Sequence, residues 1–408
     1  MDKSMLKRLA DAQQEYMVRM RREFHRHPEI AGEEYHTRGV LIREIEGLGL
    51  PYRKLEGTGL IAVIKGGKPG KHKVLRADID GLQVPEEEEN LKGKKACISC
   101  VEGLSHACGH DAHTAMLLGT MKVLAAVQEE IEGTVYCCFE EGEERSTGVA
   151  AMLEALKDYP IGECFALHVY NKLEAGKLNV EPGPRMAGTV RIGFCVHGRG
   201  GHGSRPDQAV NPIIPAAHII TQLDGAFANQ LDAEETVTLS ICVLKAGEIE
   251  NSIPEQVYIG GTARFFSREE GEKALQIINK IAKNTADSHN CQVSFTPKHR
   301  VCLFPVINGR QAALGMQEKV KEICGDVLAP CGRWYASEDY SRYLERYPGS
   351  LGFLGIRNEA AGSGAAHHNG KFDIDESVLA LGALAELAFV FGSQDGQAPS
   401  ERGEEEND

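Results

Sequence analysis

Apolar residues recur every three or four positions from Leu6 to Phe24 (Leu6, Leu9, Met17, Met20, Phe24), the spacing that lays one face of a helix against a core. The dipeptide His27-Pro28 ends that helix, because the residue before a proline is pushed out of helical backbone. Val40, Leu41, Ile45 and Leu48 mark the buried side of a second helix running from Glu33 to Leu48. The pattern then changes. Short apolar runs from Leu60 to Ile64 and from Val74 to Ala77 read as strands, and a helical run opening at Ala115, Met116, Leu117 and Leu118 reaches about Val127. Strands follow at Thr134 to Phe139 and Glu163 to Val169, and a last helix begins near Asp375. Strands alternating with helices predict an α/β domain.

Between these parts the order is strand Thr189 to His197, helix Asn211 to about Ala228, strand Thr236 to Lys245, strand Gln256 to Phe265, helix Arg268 to Ser288 and strand Cys291 to Thr296. This is βαββαβ, the ferredoxin-like order. It predicts an inserted domain at 187–297, with a first domain built from 1–186 and 298–392. A length of 408 residues suits two cores better than one. Residues 393–408 hold six acids against Arg402 and predict a disordered tail.

Charge narrows the function. A net charge of -14, with no basic stripe, argues against nucleic acid as a partner. There is no long uncharged apolar run, so no membrane span is expected, and Met1 to Arg26 lacks the apolar block of a secretory signal. The expected location is the cytoplasm, where twelve cysteines in a chain of this length are thiols rather than disulfides. Cys137, Cys138, Cys164, Cys195 and Cys242 sit in strand-like apolar runs and read as core filler. Cys97-x-x-Cys100 has no second pair at a suitable distance and reads as a loop.

The densest chemistry is His106-Ala-Cys108-Gly-His110-Asp111-Ala-His113, three imidazoles and a thiol directly before a helix. Cys108 and His110, as alternate residues of an extended segment, project to one side and can clip a zinc-like ion; a turn with incidental histidines fits the octad alone equally well. Asp111 fits a helix cap. Asp78 and Asp80 leave a strand end, where they serve either as carboxylates behind metal-bound imidazoles or as an ordinary acidic turn. The run Glu140-Glu141-Gly142-Glu143-Glu144 leaves another strand, and adjacent carboxylates are what hydrolysis at a metal needs, one on the ion and one to take a proton from water. His168 lies among apolar neighbours, and one of the pair His367-His368 can complete a site. Gly198-Arg199-Gly200-Gly201-His202-Gly203-Ser204 is a weak phosphate loop, because no Lys-Ser or Lys-Thr follows the glycines.

Taken with Phe24-His25-Arg26-His27-Pro28-Glu29, Gly261-Thr262-Ala263-Arg264, Ser337-Glu338-Asp339-Tyr340 and His368-x-x-x-Phe372, these motifs cover Phe24 to about Phe391. The chain resembles the dinuclear metallo-amidohydrolases of the aminoacylase and carboxypeptidase type, most of all the branch of hippurate hydrolases, auxin-conjugate hydrolases and bacterial N-acyl-amino-acid amidohydrolases. The resemblance implies a zinc-peptidase-like catalytic domain with a mixed sheet flanked by helices, and a role for the inserted domain as lid and dimerisation domain of a homodimer. It implies metal ligands at Cys108, His110, Glu144, His168 and His368, the last chosen over His367 by its spacing to Phe372. Two divalent ions per subunit follow, with Zn, Mn, Co and Ni all compatible. Glu143 would be the general base or acid, Asp80 would stand behind a ligand, His202 would reach the partner subunit's active site, and Asn251 and Arg264 would hold a substrate carboxylate. Relatives commonly have Gln-Pro-Ala where this chain has Glu140-Glu141-Gly142, which is expected to add negative charge beside the ions.

The implied reaction is hydrolysis of an N-acyl amino acid, or of a dipeptide-like amide, with His202 stabilising the developing oxyanion. A dipeptidase or carboxypeptidase using the same site is the near alternative. A catalytically silent metal-binding protein is the alternative of another class, and a cysteine-nucleophile hydrolase using Cys108 is disfavoured.

Overall fold

A computed structural model describes residues 1–392, so the acidic tail expected at 393–408 lies outside the described residues. The chain divides into two compact units. The larger comprises Met1–Gly183, Asn308–Cys331 and 343–392; the smaller comprises Pro184–Ile307 and Gly332–Arg342.

The larger unit is built on a seven-stranded mixed sheet. In spatial order its strands are Tyr52–Lys54, Leu60–Lys65, Thr134–Glu140, His72–Asp78, Ile161–Glu174, Gly349–Arg357 and Leu178–Asn179. The four strands from Thr134–Glu140 to Gly349–Arg357 run parallel, and the outer ones are antiparallel to their neighbours. Parallel strands flanked by helices are buried on both faces. Thr134–Glu140 is accordingly buried at every position, and the helix His110–Ala126 is buried from His110 through Met121. The C-terminal strand ends deliver Asp78, Glu140 and the residues just beyond them, the place where α/β sheets present functional groups.

One expected helix is two. Lys3–Asp11, capped by Asp2 accepting from the Met5 amide at 3.2 Å, is followed after Ala12 and Gln13 by Gln14–Arg26. Buried Leu6, Ala10, Met17, Met20 and Phe24 stay in phase across the break, so periodicity alone could not reveal it.

The smaller unit contains the expected βαββαβ order. Its antiparallel sheet runs Val237–Ala246, Gln256–Phe265, Gly188–His197, Gln292–Phe295, with helices Ile213–Gln230 and Arg268–Ser288. Beyond the expected span 187–297, this unit also takes in Arg300–Leu303, which pairs with Gly188–His197, and Gly332–Arg342, where the Trp334 and Ala336 carbonyls accept from the Ala187 amide. Cys137, Cys138 and Cys164 are buried as expected of core filler, but Cys242 is exposed. It sits at a register shift between Ile241 and Val243 in a strand at the edge of the sheet.

Candidate active site

Cys108 and His110 do come together, though not on an extended segment. Gly109 lies between them at φ 90°, a left-handed conformation natural to glycine, and His110 is the first residue of its helix. The turn aims the thiol and the imidazole at one space. A Cβ on Gly109 would stand 2.4 Å from Val169 Cγ2, so the turn is also sterically closed. Val169 belongs to the strand that presents His168. The His168 Nδ1–H donates to the Val169 carbonyl at 2.7 Å, which leaves Nε2 with its lone pair facing Cys108 Sγ at 3.6 Å.

Glu143 and Glu144 open the short 3-10 turn Glu143–Arg145, bounded by left-handed Gly142 (φ 64°) and Ser146 (φ 51°). The Glu144 amide donates to Asp80 Oδ2 at 3.1 Å, while Asp80 Oδ1 lies 3.1 Å from His110 Nδ1. One buried carboxylate thus orients two candidate ligands. His368 has φ 60°, rare for a residue with a Cβ, and its amide donates to the Ala107 carbonyl at 2.9 Å. Its Nε2 reaches Glu144 Oε1 at 3.2 Å, whereas the His367 ring packs against Phe372 at 4.8 Å between centroids. Cys108, His110 and His168 form one group whose ligand atoms lie within 4.8 Å of one another; Cys108, Glu144 and His368 form a second, and His110, Glu143 and Glu144 a third.

The electrostatics call for a cation. Burial works against charge on His110, but the Asp78, Asp80 and Glu144 carboxylates prevail and raise its pKa to about 10. Burial, reinforced by His113 and His367, holds His168 well below the ordinary histidine value and therefore neutral, as a ligand must be. The Nε2 of His110 is buried without a hydrogen-bond partner among the described residues. A buried nitrogen left open beside a thiol, imidazoles and carboxylates fits divalent ions of the zinc type.

Three residues behave otherwise than expected. Asp111 is not at the cap position, which is Gly109, although its Oδ1 accepts from the first-turn Ala112 amide at 2.9 Å; its buried carboxylate also pairs with Arg21 Nε at 2.7 Å and lies beside His25 Nδ1 at 2.8 Å. Glu140 and Glu141 do not load charge onto the site. Arg76 Nη2 bonds Glu140 at 2.7 Å and the Tyr343 hydroxyl also donates to it, while Glu141 accepts from the Thr58 hydroxyl and from the Gly59 amide at 3.0 Å. Sequence reasoning also gave no role to His113. Its Nδ1–H donates to Asp78 at 2.6 Å, and its Nε2 accepts the Val169 amide at 2.9 Å, so it clamps the helix of His110 to the strand of His168. The three-residue step from His110 to His113, which places both on one helical face, was the available signal.

His202, Asn251 and Arg264 lie in the smaller unit. Gly201–His202 pairs with Ser252–Ile253, and the Gly203 amide donates to the Asn251 carbonyl at 2.7 Å, so His202 and Asn251 are neighbours and both are exposed. Arg264 is partly buried on Gln256–Phe265, its guanidinium bonded to the Thr262 hydroxyl, and no carboxylate pairs with it among the described residues.

Residues 74–389 match the model of peptidase family M20/M25/M40. The chain belongs to that family. Thermostable carboxypeptidase 1 of Saccharolobus solfataricus is 32% identical over 392 residues, covering 93% of this chain and 96% of its own. N-acetylcysteine deacetylase of Bacillus subtilis is 31% identical over 381 residues, covering 92% and 96%. A Bacillus subtilis crystal structure, that of a dinuclear metal binding peptidase of family M20, superposes with a TM-score of 0.79 at 28% identity, covering 92% of this chain and 98% of that one. The expected kinship with metallo-amidohydrolases therefore holds, and with it the mixed-sheet α/β fold. M20 members are hydrolases of amide bonds, and so is this protein.

Proposed function

We propose that this M20 hydrolase cleaves the amide of N-acyl amino acids, releasing a carboxylic acid and a free amino acid. The observation behind this is the convergence of Cys108, His110, His168, Glu144 and His368 with Glu143 beside them; the likeness to a deacetylase of an N-acyl amino acid supports the substrate class. Those five residues hold two divalent ions, of Zn, Mn, Co or Ni type, which when bound polarise a carbonyl and lower the pKa of water. Glu143 takes the proton of the attacking water and passes it to the leaving amine. Asp80 fixes the His110 ring. Arg264, which no carboxylate pairs with among the described residues, and Asn251 hold the substrate carboxylate, and His202 donates to the developing oxyanion. The smaller unit acts as lid and dimerisation domain. Its edge strand Val237–Ala246, with Val243 37% and Leu244 56% exposed, supports a homodimer. No helix among the described residues is long and apolar enough to cross a membrane, and none of the twelve cysteines forms a disulfide, which fits the cytoplasm.

The test is a panel of N-acetyl and N-benzoyl amino acids and dipeptides offered to the protein loaded with each of the four metals. Turnover of the acylated amino acids, abolished by chelator and restored by metal, is expected. Preference for peptides with a free carboxyl end would favour the second reading, a carboxypeptidase, which the likeness to thermostable carboxypeptidase 1 supports. Metal binding without turnover of any amide in the panel would count against the proposed substrate class.

A further inference from the structure

Glu23, His27 and His36 take no part in the proposed reaction, yet they are placed as ligands are. Glu23 lies in the last turn of Gln14–Arg26, His27 is the residue that ends this helix, and His36 is the second residue of Tyr35–Gly47. His36 Nε2 stands 3.2 Å and His27 Nδ1 3.7 Å from the same oxygen, Glu23 Oε1. Ligand atoms from all three lie within 4.8 Å of one another. A tetrahedral zinc ion bound at about 2.0–2.1 Å keeps neighbouring ligand atoms roughly 3.3 Å apart, and both separations are close to that edge. The three side chains are 35–40% exposed, which admits an ion and leaves room for water as its fourth ligand.

We propose that Glu23, His27 and His36 form a second kind of metal site, an open zinc site that staples the helix Gln14–Arg26 to the helix Tyr35–Gly47. Two imidazoles and one carboxylate suit zinc and its soft or borderline neighbours, and exclude magnesium and calcium as preferred guests. The His27 Nδ1–H now donates to the Glu23 carbonyl at 2.9 Å. Coordination through Nδ1 moves that proton to Nε2 and gives up this bond, so the site is weaker than the thiolate-containing centre. Its position gives the staple a purpose. The loop between the two helices carries Glu29, whose carboxylate accepts from the His36 and Thr37 amides and whose carbonyl accepts from Gly81 at 2.7 Å, next to Asp80. The same loop ends at Glu34, which accepts from the Gly142 amide at 2.8 Å, next to Glu143. An ion at the base of the loop stiffens the segment that braces both carboxylate loops of the candidate active site.

The experiment compares the full-length wild type with His36→Ala and Glu23→Gln by equilibrium dialysis against Zn²⁺ followed by metal analysis, and by thermal denaturation over the same zinc range. The wild type is expected to take up one more equivalent of zinc than either variant, with a Tm gain of roughly 2–4 °C that the variants lack. Co²⁺ tells the sites apart. Thiolate-to-cobalt absorption reports the centre containing Cys108; it stays intact in both variants and disappears in Cys108→Ala, which keeps the surface ion. Equal zinc uptake by wild type, His36→Ala and Glu23→Gln would overturn the proposal, as would loss of the thiolate signal in the surface variants. Absence of hydrolysis would count against the proposed function and leave this result unmoved.

Discussion

Glu143 and Glu144 share one short turn, and the separate tasks proposed for them should be distinguished by their amide variants. Glu143→Gln is expected to retain bound metal and lose about 10²–10⁴-fold in kcat, the contribution of a positioned base. Glu144→Gln should lose metal, since Glu144 is the one grouped with Cys108 and His368. Metal content and single-turnover rate measured on the same samples check this, and the reverse pattern would exchange the two assignments. Gly109 supplies a backbone test. Gly109→Ala forces a side chain into φ 90° and sets its Cβ against Val169, beside His168. A destabilisation of about 1–3 kcal/mol is expected, with weakened metal binding, read by denaturant unfolding and dialysis. At this scale the ligand types were legible because thiol, imidazole and paired carboxylates stand out in a sequence. Their partners were not. Arg76 neutralising Glu140, and His113 held between Asp78 and Val169, are long-range meetings that local spacing does not encode.

At the scale of elements, the helix Leu379–Phe391 packs on His110–Ala126 and buries a carboxyl between them. Burial raises the pKa of Glu386 to about 8 despite the bond donated by the Thr120 hydroxyl at 2.6 Å. The folded protein therefore favours the protonated acid more than the unfolded chain does. Stability linked to this group is fully present below its unfolded pKa of 4.5 and is lost as pH rises through about 8. Glu386→Gln removes the charge and keeps an acceptor for Thr120, so its Tm should exceed the wild-type value by more at pH 9 than at pH 5; a constant difference across that range would exclude the linkage. Sequence patterning found these two helices because their apolar runs are long, and found three of the four parallel strands because their apolar runs are continuous; it missed the fourth, Gly349–Arg357, whose apolar run is broken by Gly352 and Gly355. It joined Lys3–Asp11 to Gln14–Arg26 because the buried positions keep phase across the break. It also read the step from Cys108 to His110 as extended, because the left-handed backbone of Gly109 leaves no periodic trace.

For the whole molecule, the proposed reaction draws on both units: the metal ligands and Glu143 belong to the larger, whereas His202, Asn251 and Arg264 belong to the smaller. The ferredoxin-like order of the smaller unit was readable from its alternating runs, but which subunit's histidine serves which centre is a question of assembly that no pattern within one chain answers. Complementation between two inactive variants can answer it. His202→Ala keeps an intact metal centre and Glu143→Gln keeps an intact His202, so each homodimer is inactive whichever way the histidine acts. When subunits are exchanged, service in trans creates in each mixed dimer one complete site, formed by the metal centre of the His202→Ala chain and the histidine of the Glu143→Gln chain. With equal random mixing about half the dimers are mixed and about one site in two works in each, so activity should return to at most roughly one quarter of wild type. Service in cis repairs nothing, because each chain still lacks one member of its own pair. Recovery on mixing is the expected outcome, while proven exchange without recovery, or full activity in a monomer, would assign His202 to its own subunit.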